Sequence, residues 1–219
     1  MANELNNRAV SLLVQGKLQD AQAVLGGALN DILSGMLLHR QAIDAGLDPA
    51  AVPVAGEPKT NPLPCMVDEA QLAFSPYNAY AFYDRAILLP DQDFHPDEMA
   101  VVLLYNTGLV FHARGFCNAS NTLLRKATKV YNMALAFAQE SDVSATSSFM
   151  SMAQLAIRAN LGNIAAHQGR DDQARDHYDT LQAILEQSLL ILPTMEWMLF
   201  YHMVVIHQTC SRPTISSAA

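Results

Sequence analysis

The chain has 219 residues, is 51% hydrophobic and 16% charged, and carries a formal net charge of −8. That apolar fraction excludes a disordered chain, and the length suits one well-buried core. The acidic balance argues against nucleic-acid binding, which needs a basic face; the local cluster Arg114, Arg125, Lys126 and Lys129 reads as a solvated helix surface.

Residues 3–14 predict a first helix with Leu5, Ala9, Leu12 and Leu13 on one side. No basic, then apolar, leader is visible at the start, so no secretory signal is expected. Gly16 suits a tight turn because it tolerates positive φ. Residues 18–45 predict one long helix with a core-facing stripe from Ala21 through Leu25, Ala28 and Ile32 to Met36. Its adjacent Gly26 and Gly27 suggest a place where a neighbouring helix comes close.

Residues 46–95 read as an inserted linker followed by an aromatic segment. The segment FSPYNAYAFYDRAILLP predicts an extended piece or small hairpin, with a short helix over residues 78–88 as the competing reading. Helical signals resume with Asp91, Asp93, Pro96, Asp97 and Glu98. A helix to about Arg114, a turn at Gly115 and a helix over roughly 119–140 follow. The polar stretch SDVSATSS reads as a turn. Helices are then expected at about 149–168, at 171–190 and from Pro193 to about Gln208, with residues 211–219 as a disordered tail. The apolar run 189–206 is interrupted by Pro193, Glu196 and His202, so a buried terminal helix is preferred over a membrane span.

Three stretches share a pattern. Asn7/Ala9, Asn106/Gly108 and Asn160/Gly162 each place a small residue two positions after an asparagine. A turn glycine (Gly16, Gly115, Gly169) and an alanine-entered second helix (Ala21, Ala127, Ala174) follow. Such a unit, repeated, points to a helical repeat protein. Small residues let two helices approach to about 8–10 Å, so Gly108 and Gly162 are expected to face Ala127 and Ala174.

These residues resemble the tetratricopeptide repeat. Asn160-Leu161-Gly162, Gly169, Ala174 and Tyr178 fit its pattern best. Asn106, Gly108, Gly115, Ala127, Tyr131 and Ala134 follow, across a turn about seven residues longer than the family's. Asn7, Ala9, Gly16, Ala21 and Ala28 follow with Leu25 in the aromatic slot. The family's large residue early in the first helix is missing, and the array is not strictly tandem. Leu104-Tyr105-Asn106 and Tyr83-Asp84-Arg85-Ala86 are also similar to tetratricopeptide-like proteins of diatoms. The resemblance implies an all-α domain over residues 1–210, built of antiparallel helical hairpins in an α-α superhelix.

It further implies a concave groove in which Asn7, Asn106 and Asn160 hold an extended peptide's backbone. Asn163, Tyr105, His112 and His167 join them as candidate partner-binding residues. An amide offers both donor and acceptor, which matches a peptide unit; the alternative is that these asparagines bond within the array. The basic residues of a carboxylate-clamping groove are absent.

Catalytic and cofactor patterns are not found. No H-E-x-x-H, phosphate loop or nucleophile elbow occurs, and the seven histidines are scattered, so neither metal nor cofactor is expected. Cys117 lies near His112 but reads as a buried, inert thiol. Three separated cysteines without C-x-x-C suit a reduced intracellular, cytoplasmic setting, and Asn118-Ala119-Ser120 reads as a chance glycosylation match. The expected function is a non-catalytic scaffold that binds a protein or peptide partner, with no nucleic acid and no membrane. The alternatives are a subunit of an oligomer, buried through its last helix, and an enzyme using Tyr83, Asp84 and Arg85.

Overall fold

A computed structural model of the chain describes residues 2–44, 59–62, 82–89, 95–141, 147–187 and 194–210. Among these residues the protein is all-α apart from one pair of short strands. The elements are α1 (Ala2–Val14), α2 (Leu18–Asp44), β1 (Lys59–Pro62), β2 (Arg85–Leu88), α3 (Pro96–Cys117), α4 (Asn121–Glu140), α5 (Ser148–His167), α6 (Asp171–Gln187) and α7 (Thr194–Cys210). The tail 211–219 and most of the 46–95 insert lie outside the described residues. The chain divides into two compact units, 1–67 with 84–157 and 68–83 with 158–219.

Three helical turns have one design. After α1, Gly16 N–H donates to Leu13 O and Lys17 N–H to Leu12 O. After α3, Ala119 donates to Phe116 O and Ser120 to Gly115 O. After α5, Gly169 donates to Ala166 O and Arg170 to Ala165 O. Each is a helix end closed by a residue in the left-handed region, with φ of +73° at Gly16, +47° at Ala119 and +68° at Gly169. The next helix then starts at once: Ala21, Leu124 and Ala174 donate to the carbonyls of Lys17, Ser120 and Arg170.

Two of these turns fall on the expected glycines and one does not. Gly115 lies inside α3, where it is buried against Leu124; a Cβ there would sit 2.6 Å from Leu124 Cδ2. Ala119 makes the turn in its place. The apparent seven-residue excess is therefore helix, not loop. Gly108 lies nine residues before the end of α3 at Cys117, and Tyr131 ten after the start of α4 at Asn121. In the later hairpin, Gly162 lies five residues before the end of α5 and Tyr178 seven after the start of α6. Seven residues split between two helices add about one turn to each, which keeps the same faces opposed.

The hairpin crossings are as close as the small residues suggest, but their opposite numbers are aromatic. A Cβ on Gly108 would lie 2.5 Å from Tyr131 Cε1, and one on Gly162 would lie 2.6 Å from Tyr178 Cε2. Glycine thus makes room for a ring; Ala127 and Ala174 are buried one turn earlier on the same helices. Gly26 and Gly27 are different: among the described residues nothing lies within 4 Å of a Cβ at either.

In the first unit, α3 packs against α4 and α2, and α1 against α2. α3 is buried on nearly all sides, from Ala100 to Gly115, and begins with His95 as N-cap and Pro96 in its first turn. Among the described residues it is the one helix long and apolar enough to cross a membrane; most of that apolar surface is covered by protein. α4 buries the stripe Leu124, Ala127, Tyr131, Ala134, Leu135 and Ala138, at helical spacing. Its exit is tied to the start of α3: Ser141 Oγ donates to Asp97 Oδ2 at 2.9 Å, and Ser147 Oγ donates to the buried Glu98.

In the second unit, α6 packs against α7 and buries Ala174, Tyr178, Leu181 and Leu185. Tyr178 stacks on His207 of α7 with ring centroids 4.5 Å apart.

Candidate functional site

Two of the expected asparagines, Asn106 and Asn7, hold β2 and the residue after it. In the first unit β2 pairs antiparallel with β1, Thr60 opposite Ile87. Among the described residues its other edge meets no strand. Asn106 Oδ1 accepts the Ile87 N–H at 3.0 Å, and its Nδ2 donates to Ile87 O at 2.8 Å. Asn7 does the same at Leu89: Oδ1 accepts the N–H at 3.0 Å and Nδ2 donates to the carbonyl at 2.7 Å. Tyr105 Oη donates to Arg85 O at 2.7 Å.

This arrangement follows from strand geometry. Both backbone polar groups of a residue in an antiparallel strand point to one side, alternating along the chain. Residues 85, 87 and 89 point toward the side chains of α1 and α3, so Ala86 and Leu88 point toward β1. The helix side chains therefore take the place of a neighbouring strand.

The carboxamides also bond to one another. Asn106 Nδ2 donates to Asn6 Oδ1 at 2.8 Å; Asn6 Nδ2 donates to Ile87 O at 3.1 Å and to Asn7 Oδ1 at 3.3 Å. Asn6 and Asn106 are fully buried, and every amide donor and acceptor of this pair has a partner. Such a closed network fixes both the amide orientations and the strand's position along the helices. Sequence reasoning singled out Asn7 and left out Asn6, its neighbour; the alternation of one repeat position gave no signal for a second carboxamide.

In the second unit Asn160 repeats the clamp. Its Oδ1 accepts the Tyr83 N–H at 2.8 Å and its Nδ2 donates to Tyr83 O at 3.1 Å. The Tyr83 side chain is buried, donates from Oη to Glu196 Oε2 at 2.5 Å, and stacks on Phe200 at 4.6 Å. Glu196, which interrupts the apolar run near the C-terminus, is thus a buried acceptor for a phenol.

The remaining candidates divide. Asn163 is buried and His167 is exposed. His112 is fully buried inside the α3–α4 hairpin, 3.5 Å from Tyr131 Oη and against Phe116. Cys117, expected to be buried, is exposed at the end of α3. It borders an open pocket of about 370 Å³ with Gly16, Lys17, Asp20, Arg114 and Asn118. Tyr83, Asp84 and Arg85 do not share one chemistry. The Tyr83 hydroxyl goes to Glu196, the Arg85 carbonyl to Tyr105, and burial raises the Asp84 carboxyl, partly offset by a backbone hydrogen bond and by Arg85. Among the described residues no three of His, Cys, Asp and Glu converge as metal ligands.

Histidines of the second unit are shaped by burial. His177 is pushed down to about 4, by burial first and then by Arg158, whose Nη1 donates to His177 Nδ1 at 3.4 Å. Burial likewise lowers His207.

No protein-family model, no curated protein and no solved structure matches the chain.

Proposed function

We propose that the protein is a non-catalytic interaction scaffold of the tetratricopeptide-like kind, whose helix-borne carboxamides recognise the backbone of an extended partner segment. The observation that carries this is the bidentate clamp. Asn7, Asn106 and Asn160 each span the N–H and C=O of a single residue of extended chain. Backbone recognition of this form suits peptide ligands, where main-chain hydrogen bonds give affinity and side-chain pockets give selectivity. The three like-built turns support the repeat reading, and the net charge of −8 favours a protein or peptide partner over nucleic acid. An intracellular setting belongs to the same proposal.

The test is affinity capture with the wild-type chain and with Asn106→Ala/Asn160→Ala, both checked for cooperative melting. A partner retained by the first and lost by the second is expected. The same partners on both would contradict recognition through these asparagines.

One observation favours a second reading, that of a subunit in an assembly. On α7, Met198 and Tyr201 are 56% and 49% exposed, and Trp197 stacks on Tyr201 at 5.1 Å. Light scattering at low micromolar concentration decides it: a clean monomer removes self-association.

A further inference from the structure

Residues 85–89 occupy the asparagine site of the first unit, and the manner of their occupation is that of a ligand. Every hydrogen bond to the 85, 87 and 89 backbone described above comes from a side chain of α1 or α3: Asn6, Asn7, Tyr105 or Asn106. A carboxamide is the chemical equivalent of a peptide group, so the helix face reads main chain and is indifferent to most side-chain identities. Selectivity then falls to the pockets. Ala86, Ile87 and Leu89 are at most 1% exposed, whereas Leu88 is half-buried. The site therefore accepts a small residue, a branched aliphatic and, two positions on, a leucine.

The α1–α2 and α3–α4 turns are closed by their own backbone. Their closing bonds are all local, and the glycine–tyrosine crossing of α3 and α4 lies within that hairpin. The carboxamides also bond to one another through Asn6, and those two bonds do not involve the strand. β1 pairs with β2 on the far edge, so both strands belong to the one excursion between α2 and α3.

We propose that residues 85–89 are a resident, intramolecular ligand, exchangeable for a partner's extended segment of the pattern Ala-Ile-x-Leu. This deepens the scaffold reading and rests on it. A tethered segment competes at an effective concentration on the order of millimolar, so a free segment of equal intrinsic fit is held off until the resident strand is weakened. The device keeps the site shut by default and opens it to a partner that destabilises or outbids the strand.

The experiment uses a fluorescent peptide of residues 82–90, FYDRAILLP, with a scrambled control, and the full chain in three forms: wild type, Ile87→Ala/Leu89→Ala, and that double variant with Asn106→Ala. The double variant is expected to bind the peptide at least about tenfold more tightly than wild type, and Asn106→Ala to abolish the gain. A cooperatively melting double variant that binds no better than wild type, or no better than the scramble, overturns the proposal. Should the double variant not fold, hydrogen exchange on wild type decides. The Ile87 and Leu89 amides are expected to exchange at least about tenfold faster than those of Leu103 and Leu104 in α3. Equal rates mean that the strand leaves only on global unfolding, and the proposal falls. Retention of a specific partner by wild type alongside that failure would leave the scaffold reading standing and remove only the exchange.

Discussion

Gly108 and Tyr131 leave no space for a methyl group between α3 and α4: a Cβ at the glycine would stand 2.5 Å from the ring. The Tyr131 ring is fully buried with His112 and Tyr105 against it, so moving it aside would disturb both contacts. Gly108→Ala is expected to cost about 1–3 kcal/mol, and Gly162→Ala a similar amount at Tyr178. For a chain of this size that lowers the melting midpoint by roughly 2–4 °C per kcal/mol. Gly26→Ala and Gly27→Ala, where no atom of the described residues lies within 4 Å, should instead stabilise by about 0.5–1 kcal/mol each. Thermal melts of the four variants check the opposite signs.

Ala119 holds the left-handed conformation that glycine holds in the two sister turns. An L side chain there costs roughly 1 kcal/mol. Ala119→Gly should raise stability by a few tenths to about 1 kcal/mol, less the greater chain entropy glycine loses on folding. Urea melts measure it; a drop in midpoint would show that the turn gains nothing from glycine.

The α3–α4 hairpin shows what the sequence could and could not reveal. Periodicity located both helices, because burial stripes are written locally. The turn was misplaced because a glycine serves either for positive φ or for close approach, and Gly115 serves the second. The strand was ambiguous with a helix because its partners are not local: Ile87 meets Asn106, 19 residues on, and Asn6, 81 residues back, and Leu89 meets Asn7, 82 residues back. The sequence marks the asparagines as amides suited to a peptide unit and leaves open whether they meet a partner or bond within the array. That their occupant is the chain's own insert was not legible, since no local pattern records which extended segment fills a site.

His177 makes stability depend on pH. Its folded value of about 4 lies below the ordinary 6.5, so the unfolded state binds the proton more readily. Stability is full above pH 6.5 and declines as pH falls toward 4. The imidazole is partly solvated, so screening limits the loss to about 1–2 kcal/mol. His207, lowered by burial, acts in the same direction; Asp84, raised by burial, acts in the opposite one above its ordinary 3.8. His177→Gln should therefore flatten the fall in melting midpoint between pH 6.5 and 4.5 without abolishing it. Parallel melts across that range, with an unchanged slope, would show that His177 is not its source.

Tyr83 and Glu196 are joined at 2.5 Å with both side chains buried. Tyr83→Phe keeps the stack on Phe200 and removes only the donor. The expected cost is about 1–3 kcal/mol, the range for leaving a buried polar group without its partner. Chemical denaturation gives the value, and a loss under about 0.5 kcal/mol would mean that the carboxylate is satisfied without the phenol.

The most direct test of the whole account is amide hydrogen exchange at Ile87 in the wild type and in Asn106→Ala. The carboxamide clamp predicts at least about tenfold faster exchange at Ile87 in the variant than the change at Leu103 and Leu104 accounts for. An Ile87 amide protected equally in both proteins would contradict the claim that Asn106 holds the extended chain by its backbone.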